Sequence, residues 1–246
     1  MKRRLFVATS AAVVLTGCSN FTNGLNENAT VRRVLSSAEG LNHALIGTHG
    51  MAKTYRDSDV DRQFRVNGFD TPSDSHYTSL VRAGFAGYKL VVDGAVDRPQ
   101  VFTLAELHAL SSYNEVTRHD CVEGWSANGK WAGVPLGKLL ALAQPAHGAR
   151  YVIFHCFDRA SDGTAYYESL DLVQAAHPQT VLALQLNDKP LDPDHGAPVR
   201  LRVPTQLGYK SAKWVYRLQL AESLHPIFGG AGGYWEDQGY EWYAGI

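Results

Sequence analysis

From Tyr88 onward the chain is written in short apolar runs, and this pattern constrains its fold more than any other feature. Residues 88–92, 150–157, 181–186, 199–203 and 213–220 each have the length and the aliphatic or aromatic content of a strand. Two helical stretches interrupt them. Thr103-Leu-Ala-Glu106 is a capping box that opens a short helix carrying Leu104, Leu107 and Leu110. Pro135 sits at the first turn of a second, with Leu136, Leu139, Leu140 and Ala143 along one side. Asp93-Gly94 predicts a hairpin that returns at Ala95-Val96, because glycine supplies the positive φ that strand twist favours. Asn187-Asp188 ahead of Lys189-Pro190, and Pro198 ahead of Val199, mark further turns. Strands joined by short helices, without regular strand–helix alternation, predict an α+β domain on mixed or mostly antiparallel sheets.

The residues before Tyr88 read differently. Residues 29–50 space Val31, Val34, Leu35, Ala38, Leu41 and Leu45 as one helix face, ending near Gly47 and Gly50. Residues 51–87 are polar and irregular, with turns at Asn67-Gly68 and Thr71-Pro72, which predicts a long functional loop or an ordered wrap. At the start, Met1-Lys2-Arg3-Arg4 precedes an apolar stretch from Leu5 to Thr16 that ends in Leu15-Thr16-Gly17-Cys18, as in an export signal. That ending is similar to a bacterial lipobox, and Arg3-Arg4 before Leu5-Phe6-Val7 is similar to a twin-arginine signal. The expected organisation is therefore a signal with lipobox over 1–18, a helix and irregular segment over 19–61, a domain over 62–222 and an aromatic tail over 223–246.

Charge narrows the function. With 23 Lys+Arg against 24 Asp+Glu, the chain lacks the basic excess of a protein that binds nucleic acid by neutralising phosphates. Aromatic residues at 11% argue against disorder. The absence of an apolar run of transmembrane length leaves a lipid anchor at Cys18 as the expected route to a membrane. Cleavage before Cys18 leaves 20 basic and 24 acidic residues, a net charge of −4, so an anionic substrate needs a local basic pocket.

Chemistry concentrates around Cys121, in Arg118-His119-Asp120-Cys121-Val122-Glu123-Gly124-Trp125. Surroundings rich in ionisable groups favour a thiolate, the form that binds metal or attacks carbon. From the residues alone, Cys121 is a structural thiol, half of a disulfide with Cys156, or a functional ligand. A cysteine hydrolase pairing it with His119 stays open if the imidazole reaches the sulfur. His119 and Asp120 either tune the sulfur and line a substrate funnel or form a satisfied surface pair. Arg200 and Arg202 alternate with Val199, Leu201 and Val203, so one reading makes them solvent-facing charges on a strand. Trp125 and Trp131 read as core more readily than as site. Gly229, Gly230, Gly232 and Gly233 lack the strand–loop–helix context of a nucleotide site. The aromatic tail from Gly233 to Tyr243 packs over the domain or rims the site.

The stretch from Arg118 to Ser126, with Lys130-Trp131, Gly133-Val134-Pro135-Leu136 and Leu139-Leu140, resembles the core of the sulfite oxidase family of molybdopterin-dependent oxidoreductases. So do His195-Gly-Ala-Pro-Val-Arg200 and Leu207-Gly208-Tyr209-Lys210-Ser211-Ala212-Lys213-Trp214. The resemblance spans roughly residues 62–222 and is greatest to bacterial heme-free catalytic subunits of the methionine sulfoxide reductase type. It implies a sulfite-oxidase-like fold, a Mo-molybdopterin cofactor and Cys121 as thiolate ligand to molybdenum, a role that suits a soft sulfur. It places cofactor contacts at Arg200, at a phosphate corner of Ser211, Ala212 and Lys213, and at Asn67 and Gly68. Cys156 falls where the methionine sulfoxide reductase type carries a threonine, and His195 where it carries an asparagine. Arg118 and His119 join Cys121 as catalytic candidates.

The implied chemistry is two-electron oxygen-atom transfer, with electrons exchanged with a separate partner, a membrane cytochrome b or a c-type cytochrome. The resemblance implies an arginine in sulfite-oxidising relatives where this chain has Ser126, so the expectation is an S-oxide or N-oxide reductase, or an oxidase of a small neutral substrate. A charge from Arg118 keeps sulfite oxidation as the alternative. A noncatalytic lipoprotein retaining the fold is another.

Overall fold

Strand pairing organises residues 50–246, the part of the chain that the computed structural model describes. The export signal, Cys18 and the N-terminal helix expected up to Gly50 lie outside the described residues. A short β1 (Thr54–Tyr55) is followed by α1 (Ser75–Arg82), whose first turn is capped by Asp74 accepting from the His76 and Tyr77 amides at 2.9 and 3.1 Å. Then come β2 (Lys89–Gly94), β3 (Gln100–Thr103) and α2 (Leu104–Leu110). The α2 capping box forms as the sequence predicts: the Thr103 amide donates to Glu106 Oε2 at 2.7 Å and the Glu106 amide to Thr103 Oγ1 at 3.3 Å. β4 (Tyr113–Asp120), β5 (Ser126–Pro135), α3 (Leu136–Ala143), β6 (Tyr151–Arg159), β7 (Ala165–Asp171) and α4 (Leu172–Ala175) follow. β8 (Val181–Leu186), β9 (Lys189–Pro190), β10 (Arg200–Arg202), β11 (Val215–Ala221) and α5 (Tyr234–Asp237) complete the order.

One sheet runs β1-β4-β5-β8-β10, with β9 on β8, and is antiparallel throughout; the other runs β3-β2-β11-β6-β7 and is mixed, because β11 lies parallel to β2. The main core draws on both: Leu182, Leu184 and Leu201 from the first sheet pack with Leu90, Val92, Phe154 and Leu218 from the second. A smaller cluster, with Phe64, Trp131 and Leu186, takes Val181 and Ala183 from the opposite face of β8. Burial on both faces explains why residues 181–184 read as a continuous apolar run. The α+β fold of mixed, mostly antiparallel sheets is the one expected.

Two local expectations need correction, and one pair of strands carries no mark in the sequence. Asp93-Gly94 does not reverse the chain at Ala95-Val96; β2 runs through Gly94, and the return strand starts at Gln100. Gly94, at φ +84°, pairs with Leu220 of β11, where a Cβ would stand 2.2 Å from the Leu220 carbonyl oxygen, so the glycine serves close strand approach. Residues 51–87 are not irregular throughout, since they contain β1 and α1. Residues 113–135, which no apolar run marks, form the long β4–β5 hairpin from Tyr113 opposite Gly133 to Asp120 opposite Ser126.

Candidate active site

The β4–β5 hairpin turns at Cys121. The Cys121 amide donates to the Trp125 carbonyl at 2.9 Å and the Gly124 amide to the Cys121 carbonyl at 3.1 Å, which fixes the thiol at the tip. Cys121 opens onto a cavity of about 150 Å³. Asn67, Gly68 and Phe69 reach it from the segment before α1, Asp158 from β6 and Tyr166 from β7. Gly208, Ser211, Ala212 and Lys213 line it from the connection between β10 and β11, and Trp235 and Tyr240 from the tail. Part of the aromatic tail thus rims the site.

Cys121 and Cys156 are both free, so the disulfide reading does not hold. Nor do the flanking charges make Cys121 a thiolate by themselves. Arg118 and Asp120 pair with each other at 2.7 Å, with Arg118 half exposed, while burial pushes the Cys121 thiol up and the nearby Glu123 carboxylate adds to this. A cation or metal at the sulfur is needed to hold the deprotonated form.

Behind this end of the cavity, His119 is fully buried and neither ring nitrogen has a hydrogen-bond partner. Burial, with the charges of Arg202 and Arg200, holds it well below the usual histidine range, so the ring is neutral. Without a hydrogen bond to Cys121, the pair lacks the geometry of a cysteine hydrolase. Gly208 sits so close that a Cβ there would stand 2.4 Å from His119 Nε2.

Arg200 and Arg202 are fully buried, which corrects the solvent-facing reading. Alternation along β10 sends Leu201 into the core and both guanidinium groups toward the ring of Trp131, at 5.1 and 5.5 Å from its centroid. Trp131 is therefore a core residue whose ring meets both guanidinium groups. Arg200 donates to the His195 and Ser211 carbonyls at 3.1 and 3.2 Å, and Arg202 to the Arg118 carbonyl at 2.5 Å. Burial is the main reason that the two fall to about 9 and about 10. Lys213 donates to the Phe69 and Asp194 carbonyls at 2.8 and 3.1 Å, and burial, with the charge of Arg200, lowers it to about 7.

The structure thus brings Cys121, Asn67, Gly68, Ser211, Ala212 and Lys213 to one cavity, with His119 and Arg200 behind it. It does not bring Arg118, His195 or Cys156 to the lining. Arg118 lies at two outer clefts. His195 lines a separate cleft of about 510 Å³, bonded through its ring to Asp192 and to the Phe64 carbonyl. Cys156 is buried in the main core. The pattern of residues did not single out Asp158, Tyr166 or Phe69. Only Phe69, directly after Asn67-Gly68, carried a usable signal.

The residues fit a polar cofactor. Asn67 Oδ1, both His119 nitrogens, Trp131 Nε1, Asp158 Oδ1, Arg200 Nε, and Arg202 Nε and Nη1 are buried without partners in the protein. Buried polar atoms are costly unless bonded, and this mixture of donors and acceptors suits a pterin with a phosphate tail. Among the described residues no group of three His, Cys, Asp or Glu side chains is placed to hold a metal ion. A metal at Cys121 therefore needs donor atoms of its own, such as the sulfurs of a dithiolene.

Comparison with known proteins agrees. Residues 77–228 match the family of oxidoreductase molybdopterin-binding domains. The chain is 37% identical over 251 residues to a putative protein-methionine-sulfoxide reductase subunit, YedZ1, of Azospira oryzae, covering 99% of this chain and 87% of that one. It also superposes on the sulfane dehydrogenase SoxCD from Paracoccus pantotrophus with a TM-score of 0.50 and 25% identity, over 56% of this chain and 39% of that one. The chain belongs to the molybdopterin-binding oxidoreductases of the sulfite oxidase family, with Mo-molybdopterin as its cofactor.

Proposed function

We propose that this oxidoreductase reduces a small neutral S-oxide by two-electron oxygen-atom transfer, taking its electrons from a separate heme or quinone-linked protein such as a membrane cytochrome b or a c-type cytochrome. The observation that carries the reading is the lining of the cavity at Cys121. Phe69, Tyr166, Tyr209, Trp235 and Tyr240 surround it with aromatic surface, Asp158 and Glu123 add acids, and its one lysine is engaged by two carbonyls. Aromatic rings make favourable contacts with thioether sulfur, and the Glu123 carboxylate repels sulfite. Ser126 opens on an outer cleft with Tyr55 and Arg118. The kinship with a putative protein-methionine-sulfoxide reductase subunit supports the same substrate class.

When bound, the cofactor supplies a metal that cycles between oxidation levels and takes up or releases one oxygen. Cys121 supplies the protein's sulfur to that metal. Asn67, Arg200, Ser211, Ala212 and Lys213 hold the organic part, the arginine and lysine matching its negative charge. The neutral ring of His119 and the indole of Trp131 offer uncharged hydrogen-bonding atoms beside it. Phe69, Tyr166 and Tyr240 narrow the mouth against water.

The catalytic body spans residues 62–222. We place the protein in the periplasm, exported by the twin-arginine route and held at a bilayer through lipid on Cys18. Among the described residues no helix is long and apolar enough to cross a membrane. Molybdenum-loaded protein supplied with reduced viologen is expected to convert dimethyl sulfoxide or methionine S-oxide to the thioether and to leave sulfite untouched. Sulfite oxidation faster than S-oxide reduction contradicts the reading.

A further inference from the structure

Among the described residues the chain carries the dipeptide Asn–Gly twice, at Asn67-Gly68 and at Asn128-Gly129. In such a pair the glycine nitrogen can close a five-membered ring on the asparagine side-chain carbon, because both atoms belong to adjacent residues and no Cβ obstructs the approach. What holds each pair decides whether the ring forms. Asn128 and Gly129 lie inside β5, opposite Arg118 and Thr117 of β4. The Asn128 amide donates to Asp61 Oδ2 at 2.7 Å and its side-chain Nδ2 to the Asp59 carbonyl at 3.0 Å. A Cβ at Gly129 would stand 2.9 Å from the side chains of Phe64, Trp131 and Leu186, so that backbone has no room to turn. Asn67 and Gly68 belong to neither helix nor strand, in the connection between β1 and α1, and both line the cavity at Cys121. Gly68 is exposed at φ +69°, a Cβ there would meet nothing within 4 Å, and its nitrogen donates only to Glu123 Oε1, at 3.5 Å. Asn67 is half-buried, and its Oδ1 has no hydrogen-bond partner.

We infer that Asn67-Gly68 is a site of spontaneous deamidation and that the bound cofactor shields it. The Gly68 nitrogen attacks Asn67 Cγ, the Cγ–Nδ2 bond breaks, and ammonia leaves with the proton that the Gly68 nitrogen gives up. The cyclic imide that results is opened by water at either of its two ring C–N bonds, giving aspartate or isoaspartate. The net change consumes one water and releases one ammonia, with no electron transferred. The new carboxyl is ionised at neutral pH and stands in the cavity where Lys213 is placed to meet an anionic group. Like charges repel, so a chain that deamidates before it is loaded loses affinity for the cofactor. In the loaded protein, a cofactor contact at Asn67 supplies the hydrogen-bond partner that its Oδ1 lacks and fixes the side chain away from the Gly68 nitrogen. The shielding rests on the placement of Asn67 against the cofactor given above; the ring closure does not.

The test incubates cofactor-free and molybdenum-loaded wild type side by side at neutral and mildly alkaline pH and follows both dipeptides by peptide mass spectrometry, with isoaspartate scored separately. The expected result is progressive loss of the asparagine form at Asn67 in the cofactor-free protein, faster at alkaline pH because the attacking nitrogen must shed its proton. Asn128, the same dipeptide held in a strand, should stay intact, and Asn67 of the loaded protein should be largely protected. Gly68→Ala, whose added methyl meets no neighbour, should lose the conversion at Asn67. Molybdenum uptake by the aged cofactor-free protein should fall in step with its deamidated fraction. An Asn67 that stays intact, or converts no faster than Asn128, overturns the proposal. Equal conversion with and without the cofactor overturns the shielding and, with it, the contact at Asn67. Undiminished molybdenum uptake by fully deamidated protein overturns the loss of affinity. None of these readouts uses turnover, so a failure of the S-oxide reading shows separately, in the assay of reductase activity.

Discussion

Arg200 lies over the face of Trp131, its guanidinium carbon 5.1 Å from the ring centroid, and neither side chain reaches water. Arg202 stands 5.5 Å from the same ring. Two buried cations therefore share one aromatic wall, and the ring's negative face offsets part of their burial. Trp131→Ala is expected to cost about 3 to 5 kcal/mol in urea unfolding, with Trp131→Phe retaining most of the stability. A loss below about 1 kcal/mol in Trp131→Ala would show that the wall is dispensable.

Lys210 is fully buried between Glu168 and Glu236, bonded to Glu236 at 2.5 Å and to Glu168. Burial, followed by the Glu236 charge, pushes the Glu168 carboxyl well above the usual range. Lys210→Met leaves two buried carboxylates without a cation and is expected to cost about 3 to 5 kcal/mol near neutrality. The Glu168 carboxyl keeps a folded pKa above its unfolded one, so the folded state is favoured at acid pH and loses that advantage as pH rises. The loss measured by urea unfolding should accordingly shrink toward acid pH; a loss that grows there contradicts the assignment.

The Asp158 carboxyl ionises at its ordinary 3.8 in the unfolded chain and at about 7 when buried. Its folded value is raised, so its contribution to stability is complete below 3.8 and is lost as pH rises to about 7. Asp158→Asn removes this dependence and is expected to stabilise the cofactor-free protein above neutrality by up to about 4 kcal/mol. Parallel stability–pH curves for wild type and variant would contradict it.

The motif around Cys121 was legible because its residues are consecutive, and the cofactor family followed from their order. The opposite wall was not. Asp158, Tyr166 and Tyr240 reach the cavity only through the β6–β7 pairing and the fold of the tail, which local spacing does not encode. The β4–β5 hairpin escaped notice because its strands alternate polar and buried positions, with Thr117 and His119 among the buried ones. Alternation on β10 told that Arg200 and Arg202 share a side; it did not tell that Trp131 covers that side.

Gly208 gives a sharp steric test. A Cβ there would stand 2.4 Å from His119 Nε2, and the ring is enclosed by Phe64 and Trp125, whose centroids lie 5.7 and 5.5 Å away. Gly208→Ala is expected to displace the ring, destabilise the protein by about 1 to 3 kcal/mol and lower molybdenum content. Wild-type metal content and stability in this variant would show that the His119 position tolerates movement.

The resemblance to sulfite oxidases sets Ser126 against an arginine, yet Ser126 borders an outer cleft with Tyr55 and Arg118. Ser126→Arg is expected to leave sulfite oxidation undetectable and S-oxide reduction within about twofold of wild type, as surface substitutions usually have small effects. Sulfite turnover gained by this variant alone would place the side chain in the substrate path.

X-ray absorption at the molybdenum edge decides whether Cys121 holds the metal. Loaded wild type is expected to show one more sulfur scatterer than the dithiolene supplies, and Cys121→Ser to lose it and nearly all activity while keeping the fold. The same sulfur coordination in both proteins, or full activity in Cys121→Ser, would contradict the ligation on which the proposed chemistry is built.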